Sequence, residues 1–128
     1  MAGNGTILFS QSAIAERVDE LAEEIASASV KPDIGVPILA GAFVFAADLL
    51  RALAVKKIIL PTEFIWLRSY GEAETPHAIE ILRGPGEIVK NKNVLMIDGV
   101  LDSGATLVTA RDLLLSAGAH SVAAIVTV

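Results

Sequence analysis

Cysteine is absent from the 128-residue sequence. Its absence excludes disulfide bonds and thiolate metal sites, and it fits a protein of a reducing compartment. The first residues, MAGNGTILFSQ, have neither a basic start nor a long apolar core, so they do not resemble a secretory signal peptide. We therefore expect a cytoplasmic protein.

Basic residues are scarce, and long apolar runs are missing. Ten Lys and Arg side chains stand against fifteen Asp and Glu, and the net charge of −5 argues against a nucleic-acid-binding protein. No apolar run reaches the roughly 18 residues of a transmembrane helix. The hydrophobic fraction is nevertheless 53%. Two interpretations of this excess remain open: a sheet buried on both faces, or apolar surface covered in an oligomer, for which we expect a homodimer or homotetramer.

Strands and helices alternate along most of the chain. Apolar spacing predicts an amphipathic first helix with Ser12 as its candidate N-cap, and short apolar runs predict the strands. In chain order, the predicted elements are a helix over residues 12–28, a strand over 34–39, a helix over 43–53, a strand region over 57–67 that is bent or at an edge near Pro61, a short strand at HAIEIL within the polar stretch 69–92, a strand over 93–98, a helix over 105–117 capped by Gly118, and a strand over 121–128. This order predicts a single α/β domain with a parallel sheet flanked by helices, which binds ligands at the carboxyl ends of its strands.

The stretch VLMIDGVLDSGATL, residues 94–107, ends one predicted strand on two acids and a loop of small residues. Successive backbone amides in such a loop, followed by a helix N-terminus, form a nest that suits a phosphate. Two carboxylates beside a phosphate are useful when the ligand also presents hydroxyls or a divalent cation, as a sugar phosphate does. The same pattern is also that of an ordinary N-cap and turn, and the loop alone favours neither interpretation. The spacing excludes a Walker loop and a dinucleotide fingerprint.

Residues 94–107 resemble the motif that binds 5-phosphoribosyl 1-diphosphate (PRPP) in type I phosphoribosyltransferases. Two further stretches resemble the hypoxanthine/guanine subfamily. Residues 38–53, ILAGAFVFAADLLRAL, are similar to its strand, diphosphate loop and helix, and RSYG, residues 68–71, is similar to the start of its mobile loop. The resemblance covers nearly the whole chain. It implies the type I phosphoribosyltransferase fold and transfer of phosphoribosyl from PRPP to hypoxanthine or guanine in purine salvage.

The resemblance also implies a role for each matched residue. Ser103, Gly104, Ala105 and Thr106 would bind the 5′-phosphate. Asp98 would bind ribose hydroxyls, directly or through Mg²⁺, and Asp102 would also lie in the PRPP site and act as general acid/base at the purine N7. Ala40 and Gly41 would form the turn that binds the diphosphate, and Ser69 and Tyr70 would close over the reacting centre. The implied cofactor is Mg²⁺, and the implied ligands are PRPP and a purine base or purine nucleotide.

Three features depart from the family's pattern. Gly99 stands where a second acid is usual, and Ala40 stands where the subfamily commonly has a lysine. In the family, the strand that matches residues 121–128 is followed by a segment that reads the base. Three interpretations stay open: the sequence is a C-terminally truncated fragment, it is a naturally short form, or purine recognition comes from elsewhere. These departures favour an alternative function, a weakly active or non-catalytic relative that binds PRPP or a nucleotide in a regulatory or assembly role. We expect an acid at position 99 to strengthen magnesium-dependent PRPP binding, unless the glycine is needed for a positive φ.

Overall fold

The computed structural model describes residues 11–70, 78–99 and 104–126. Its elements are α1 (Gln11–Ser27), β1 (Ile34–Leu39), α2 (Phe43–Val55), β2 (Ile65–Tyr70), β3 (Ala78–Arg83), a short 3₁₀ turn (Glu87–Val89), β4 (Asn93–Asp98), α3 (Ala105–Ser116) and β5 (Ser121–Val126). Every predicted helix and strand is therefore present, in the predicted order. Among the described residues, no helix is long and apolar enough to cross a membrane.

The five strands form one sheet in the order β3-β2-β1-β4-β5. Strands β2, β1, β4 and β5 are parallel, with Ile34 of β1 opposite Val94 of β4, and Asn93 of β4 opposite Ser121 of β5. Strand β3 is antiparallel to β2. Residues 71–77 between these two strands are fewer than the dozen or so that a parallel crossover needs, so the pair is joined as a hairpin. The predicted α/β sheet flanked by helices is confirmed, with one antiparallel edge strand.

Helices cover both faces of the sheet. Helices α1 and α2 pack on one face against Leu95 and Ile97 of β4. The opposite face carries Val94 and Met96 in a second cluster with Ala110 and Leu114 of α3. Successive side chains of β4 thus pack into the cores on the two opposite faces of the sheet, which explains why the sequence of this strand is an unbroken apolar run.

Strand β2 begins at Ile65, so the prediction of a strand from residue 57 is wrong at its start. Ile58 and Leu60 pack against the α1–α2 core without forming a ladder. The segment contacts β1 through the Gly35 amide, which donates to the Pro61 carbonyl at 2.9 Å, and through one isolated bridge to Thr62. Pro61 has no N–H to donate, and pairing becomes regular only beyond it.

The predicted start of α1 and the predicted end of α3 each differ by one residue from the structure. Helix α1 begins at Gln11, which places Ser12 inside the first turn instead of at the N-cap. Helix α3 ends at Ser116 with Ala117 as its cap residue, and Gly118 follows with a φ of 96°. A glycine in the left-handed region just beyond a helix is a common way to end it, because a side chain there would be strained.

Candidate functional site

Strands β1 and β4 end side by side. They pair in parallel from Ile34–Val94 to Pro37–Ile97, so the loops that follow them leave the same edge of the sheet. The loop after β1 contains Ala40 and Gly41, and the loop after β4 contains Gly99 and leads to Gly104. The structure therefore brings together two of the regions that the sequence predicts to bind phosphate groups, at the edge where open α/β sheets bind ligands.

Gly104 begins the helix that follows β4. Its φ is 82°, and its carbonyl accepts the first helical hydrogen bond, from the Val108 amide at 3.0 Å. Among the described residues, a Cβ at Gly104 would meet no atom within 4 Å, so these residues leave the space beside this backbone open. Helix N-termini present amides that have no partner within the helix and attract anions. The helix N-terminus that follows Gly104 is thus compatible with a bound phosphate.

Asp98 is the last residue of β4, and it is 9% exposed. Its Oδ1 accepts a hydrogen bond from the Gly99 amide at 2.8 Å. Burial raises the pKa of the Asp98 carboxyl because the charged form loses hydration, and the Gly99 amide offsets part of this effect. A buried carboxylate gains from a ligand that donates hydrogen bonds to it, which is what ribose hydroxyls do.

The turn after β1 carries no charged side chain. The Leu39–Ala40 peptide bond is cis, and Ala40 and Gly41 are exposed. Ala42 is fully buried, and its carbonyl accepts a hydrogen bond from the Ala46 amide at 2.8 Å in the first turn of α2. Within this turn, therefore, only backbone amides can donate hydrogen bonds to a bound anion.

Gly99 lies against the turn after β1. A Cβ at Gly99 would be 2.9 Å from the carbonyl oxygen of Gly41 and 3.4 Å from its carbonyl carbon. The φ of Gly99 is outside the positive region, where Gly104 and Gly118 lie, so the glycine is not required by a positive φ. The lack of space for a side chain explains the glycine at position 99 instead. An acid at position 99 would displace the turn, and we expect it to weaken ligand binding, contrary to the expectation from the sequence.

Ser69 and Tyr70 end β2, which continues past the carboxyl end of β1, because Leu39 at that end pairs with Trp66. Their backbones pair with Ile79 and Ala78 of β3. They therefore lie at the start of the segment predicted to be a mobile loop, whose residues 71–77 are outside the described part of the chain. Their closure over the site stays a prediction. Asp102 and Ser103 also lie outside the described residues.

No group of three or more acids or histidines converges as a metal site within the described ranges. A divalent cation near Asp98 would need further ligands from a substrate or from water. An apolar cavity of about 460 Å³ lies elsewhere, between α1 and the strands β4 and β5, with Leu21, Ile25 and Val122 in its lining. It includes neither Asp98 nor the turns at Gly41 and Gly104, so it is not the candidate site.

Comparison with known proteins places this geometry in a family. Residues 4–128 match the family described as Phosphoribosyl transferase domain. The chain belongs to this family. The loops at Gly41 and Gly104 therefore belong to a phosphoribosyltransferase fold, as the resemblance in the sequence predicted.

Individual relatives point to one branch of the family. The hypoxanthine-guanine phosphoribosyltransferase of Aquifex aeolicus is 36% identical over 112 residues, which are 85% of this chain and 61% of that protein. The enzyme of the same name from Dictyostelium discoideum is 34% identical over 84% of this chain and 62% of that protein. A solved variant of the Trypanosoma cruzi hypoxanthine phosphoribosyltransferase, complexed with the product IMP, has a TM-score of 0.78 and 27% identity, over 94% of this chain and 65% of that one. The chain thus spans about three fifths of the curated relatives it matches.

Proposed function

We propose that the protein transfers the 5-phosphoribosyl group from PRPP to hypoxanthine or guanine and releases diphosphate, as a purine salvage enzyme. One observation carries the proposal most directly: the turns at Gly41 and Gly104 flank Asp98 at the adjoining ends of β1 and β4. PRPP has a phosphate at one end, a diphosphate at the other and hydroxyls between them. The matched hypoxanthine-guanine phosphoribosyltransferases support the same reaction.

The proposal assigns the two ends of PRPP to the two turns. Amides at the start of α3, with the hydroxyls of Ser103 and Thr106, bind the 5′-phosphate. Backbone amides of the Ala40–Gly41 turn bind the diphosphate. Asp98 accepts hydrogen bonds from the ribose hydroxyls, which compensate its buried charge.

In the reaction, the bond between C1′ and the diphosphate oxygen breaks, and the purine N9 bonds to C1′. Asp102 accepts the proton that the purine loses from N7 as the new bond forms, so charge does not accumulate on the base. Ser69 and Tyr70 exclude water, which would otherwise take the sugar. Tight positioning of the reactants provides much of the remaining acceleration.

Mg²⁺ fits the residues near Asp98. This cation is commonly held through one or two carboxylates together with substrate phosphates and water, so a single buried carboxylate at the end of β4 is sufficient on the protein's side. When bound, Mg²⁺ neutralises negative charge on the departing diphosphate.

The direct test is incubation of the chain with PRPP, Mg²⁺ and either hypoxanthine or guanine, with IMP or GMP formation followed by chromatography. Asp102→Asn is the matched variant, because it keeps the shape of the side chain and removes the base. We expect turnover to fall by ~10²–10⁴-fold in this variant, with PRPP affinity largely retained. PRPP binding without any nucleotide formation by the unaltered chain would support the non-catalytic alternative, which the matched relatives do not favour.

We also propose a homodimer or homotetramer located in the cytoplasm. Large apolar side chains are exposed close to the site: Phe43 is 61% exposed and Val44 58% at the start of α2, and Trp66 is 45% exposed on β2. Apolar surface of this kind is commonly covered by a second subunit. A monomeric mass in light scattering at micromolar concentration would contradict the assembly. The absence of cysteine supports the reducing compartment.

A further inference from the structure

Gly99 and the turn after β1 are in closer contact than a side chain would allow. The Cβ position of Gly99 is 2.9 Å from the Gly41 carbonyl oxygen and 3.8 Å from the Cα of Ala42. Contacts below about 3.0 Å are essentially never made by real Cβ atoms, so any residue other than glycine at position 99 requires the backbone on one side of the contact to shift. The obstructing atom is backbone, and it cannot rotate away as the end of a side chain could.

The turn is anchored at its far end, where it enters α2. Ala42 is fully buried, and its carbonyl is fixed by the Ala46 amide at 2.8 Å. Gly99 follows a buried strand and is itself buried, whereas Ala40 and Gly41 are exposed, so the turn is the side of the contact that would shift. The end of β4 therefore sets the position of the Ala40–Gly41 turn.

The chemistry of the turn makes this position important. Ala40, Gly41 and Ala42 have no cationic or hydrogen-bonding side chain, so within the turn a bound anion interacts only with backbone amides. A flexible lysine can follow a ligand that shifts, whereas a backbone amide is effective only within a narrow range of distance and angle. Small displacements of the turn should therefore cost much of its affinity.

We propose that Gly99 is a positioning residue that holds the Ala40–Gly41 turn in the geometry that binds the diphosphate end of PRPP. The inference rests on the proposed function, and it adds that the glycine serves the diphosphate subsite rather than replacing a carboxylate ligand. It predicts a selective defect: ligands with a diphosphate group depend on Gly99, and ligands that carry only the 5′-phosphate do not.

The test is Gly99→Ala, with Gly84→Ala as the matched control. A Cβ at Gly84 meets no atom within 4 Å in the part of the chain that the structure describes, and this residue follows β3, outside the proposed site. Titrations with PRPP, with inorganic diphosphate plus Mg²⁺ and with IMP compare the three proteins. For Gly99→Ala we expect diphosphate and PRPP affinity to fall roughly 10–100-fold, as when hydrogen bonds to a charged group are lost, while IMP affinity changes little. Gly84→Ala should bind all three ligands as the unaltered chain does.

The possible results separate this inference from the proposed function. If the unaltered chain binds neither PRPP nor IMP, the proposed function fails. If it binds both and Gly99→Ala binds diphosphate equally well, the positioning role is wrong. Equal losses for IMP and diphosphate, or a Gly99→Ala chain that does not fold, would make the glycine purely structural and overturn the inference.

Hydrogen exchange of the unaltered protein gives a measurement that does not depend on the variant. Diphosphate with Mg²⁺ should slow hydrogen exchange of the Gly41 and Gly99 amides together, because Gly99 and the Ala40–Gly41 turn are in direct contact. IMP should leave the Gly41 amide unchanged. Protection of Gly41 by IMP, or no protection by diphosphate, would contradict the assignment.

Discussion

Glu63 and Arg83 join the two open ends of the β2–β3 hairpin. Glu63 precedes β2 and is 9% exposed, and its Oε1 accepts a hydrogen bond from the Arg83 guanidinium at 2.9 Å. The same carboxylate accepts hydrogen bonds from the Phe64 amide at 2.9 Å and the Gly86 amide at 3.0 Å. One carboxylate therefore connects the start of β2 to the chain that leaves β3. The hairpin carries Ser69 and Tyr70 at its other end.

Removing the charge of Glu63 should loosen this connection. For Glu63→Gln we expect the free energy of unfolding to fall by about 1–3 kcal/mol, because hydrogen bonds to a charged acceptor are replaced by weaker ones and one partly buried backbone amide loses its partner. Urea denaturation measures the change. Glu80→Gln is the control, since the Glu80–Arg68 ion pair on the same hairpin is exposed, and such pairs contribute about 0–1 kcal/mol. Equal losses in the two variants would contradict a special role for Glu63.

Stability at acid pH should depend on the same residue. Burial by itself raises the pKa of Glu63, but hydrogen bonds from Arg83, Phe64 and Gly86 outweigh it and lower the pKa below 4.5. A carboxyl whose pKa is lower in the folded state stabilises the fold above its unfolded pKa and loses this contribution as the pH falls through the folded value. The difference in unfolding free energy between the unaltered chain and Glu63→Gln should therefore shrink from pH 7 to pH 3. A difference that stays constant over this range would show that the ionised form is not what stabilises the hairpin.

The architecture could be predicted because it follows from local patterns. Apolar runs bounded by glycine and proline marked the strands, and the amphipathic spacing of α1 marked its buried face. The error at residue 57 has a physical reason. Ile58 and Leu60 are apolar because they pack against a core, and apolar character alone does not distinguish that from a place in a ladder.

The candidate site was predictable only in part. The small residues around Gly104 follow a local pattern, and the structure puts a positive φ and a helix N-terminus there. The role of Gly99 was not predictable, because its contact is with Gly41 on a different loop and exists only when β1 and β4 are paired. The Glu63–Arg83 connection was missed for the same reason, since it joins residues at the two ends of a hairpin.

The substitution Asp98→Asn should change PRPP affinity and the stability of the fold in opposite directions. We expect PRPP affinity to fall roughly 10–100-fold, the equivalent of about 1.5–3 kcal/mol for hydrogen bonds to a charged group. Stability should move in the opposite direction at neutral pH. Burial raises the pKa of Asp98, so ionisation destabilises the fold as the pH rises above the unfolded value of 3.8, and asparagine avoids this cost.

Thermal unfolding at pH 7 and at pH 3, with PRPP titrations at pH 7, measures both effects for Asp98→Asn. The variant should melt at a higher temperature than the unaltered chain at pH 7, and the difference should disappear near pH 3. The side-chain oxygen of the introduced asparagine can still accept the hydrogen bond from the Gly99 amide, so the local backbone is retained. Normal PRPP binding by the variant would show that Asp98 does not belong to the binding site.

The two glycines that flank α3 offer a matched pair for the phosphate site. Gly104 and Gly118 both have positive φ, at 82° and 96°, at opposite ends of the same helix. Alanine in the left-handed region costs about 1–2 kcal/mol, so Gly104→Ala and Gly118→Ala should both lower the free energy of unfolding by that amount. The Cβ at Gly118 also approaches Lys90 Cγ at 3.1 Å, a flexible side chain that can move aside.

Of these two substitutions, only Gly104→Ala should weaken ligand binding. The backbone at Gly104 begins the helix whose first amides would bind the 5′-phosphate, and the open space beside it is where that anion would lie. A methyl group at Gly104 would occupy part of that space and push the backbone away from its left-handed conformation. Isothermal titration with IMP should therefore show weak binding by Gly104→Ala and near-normal binding by Gly118→Ala, although the two are equally destabilised. If both variants lose IMP in proportion to their stability, the loss reflects unfolding of α3, and the phosphate does not bind at Gly104.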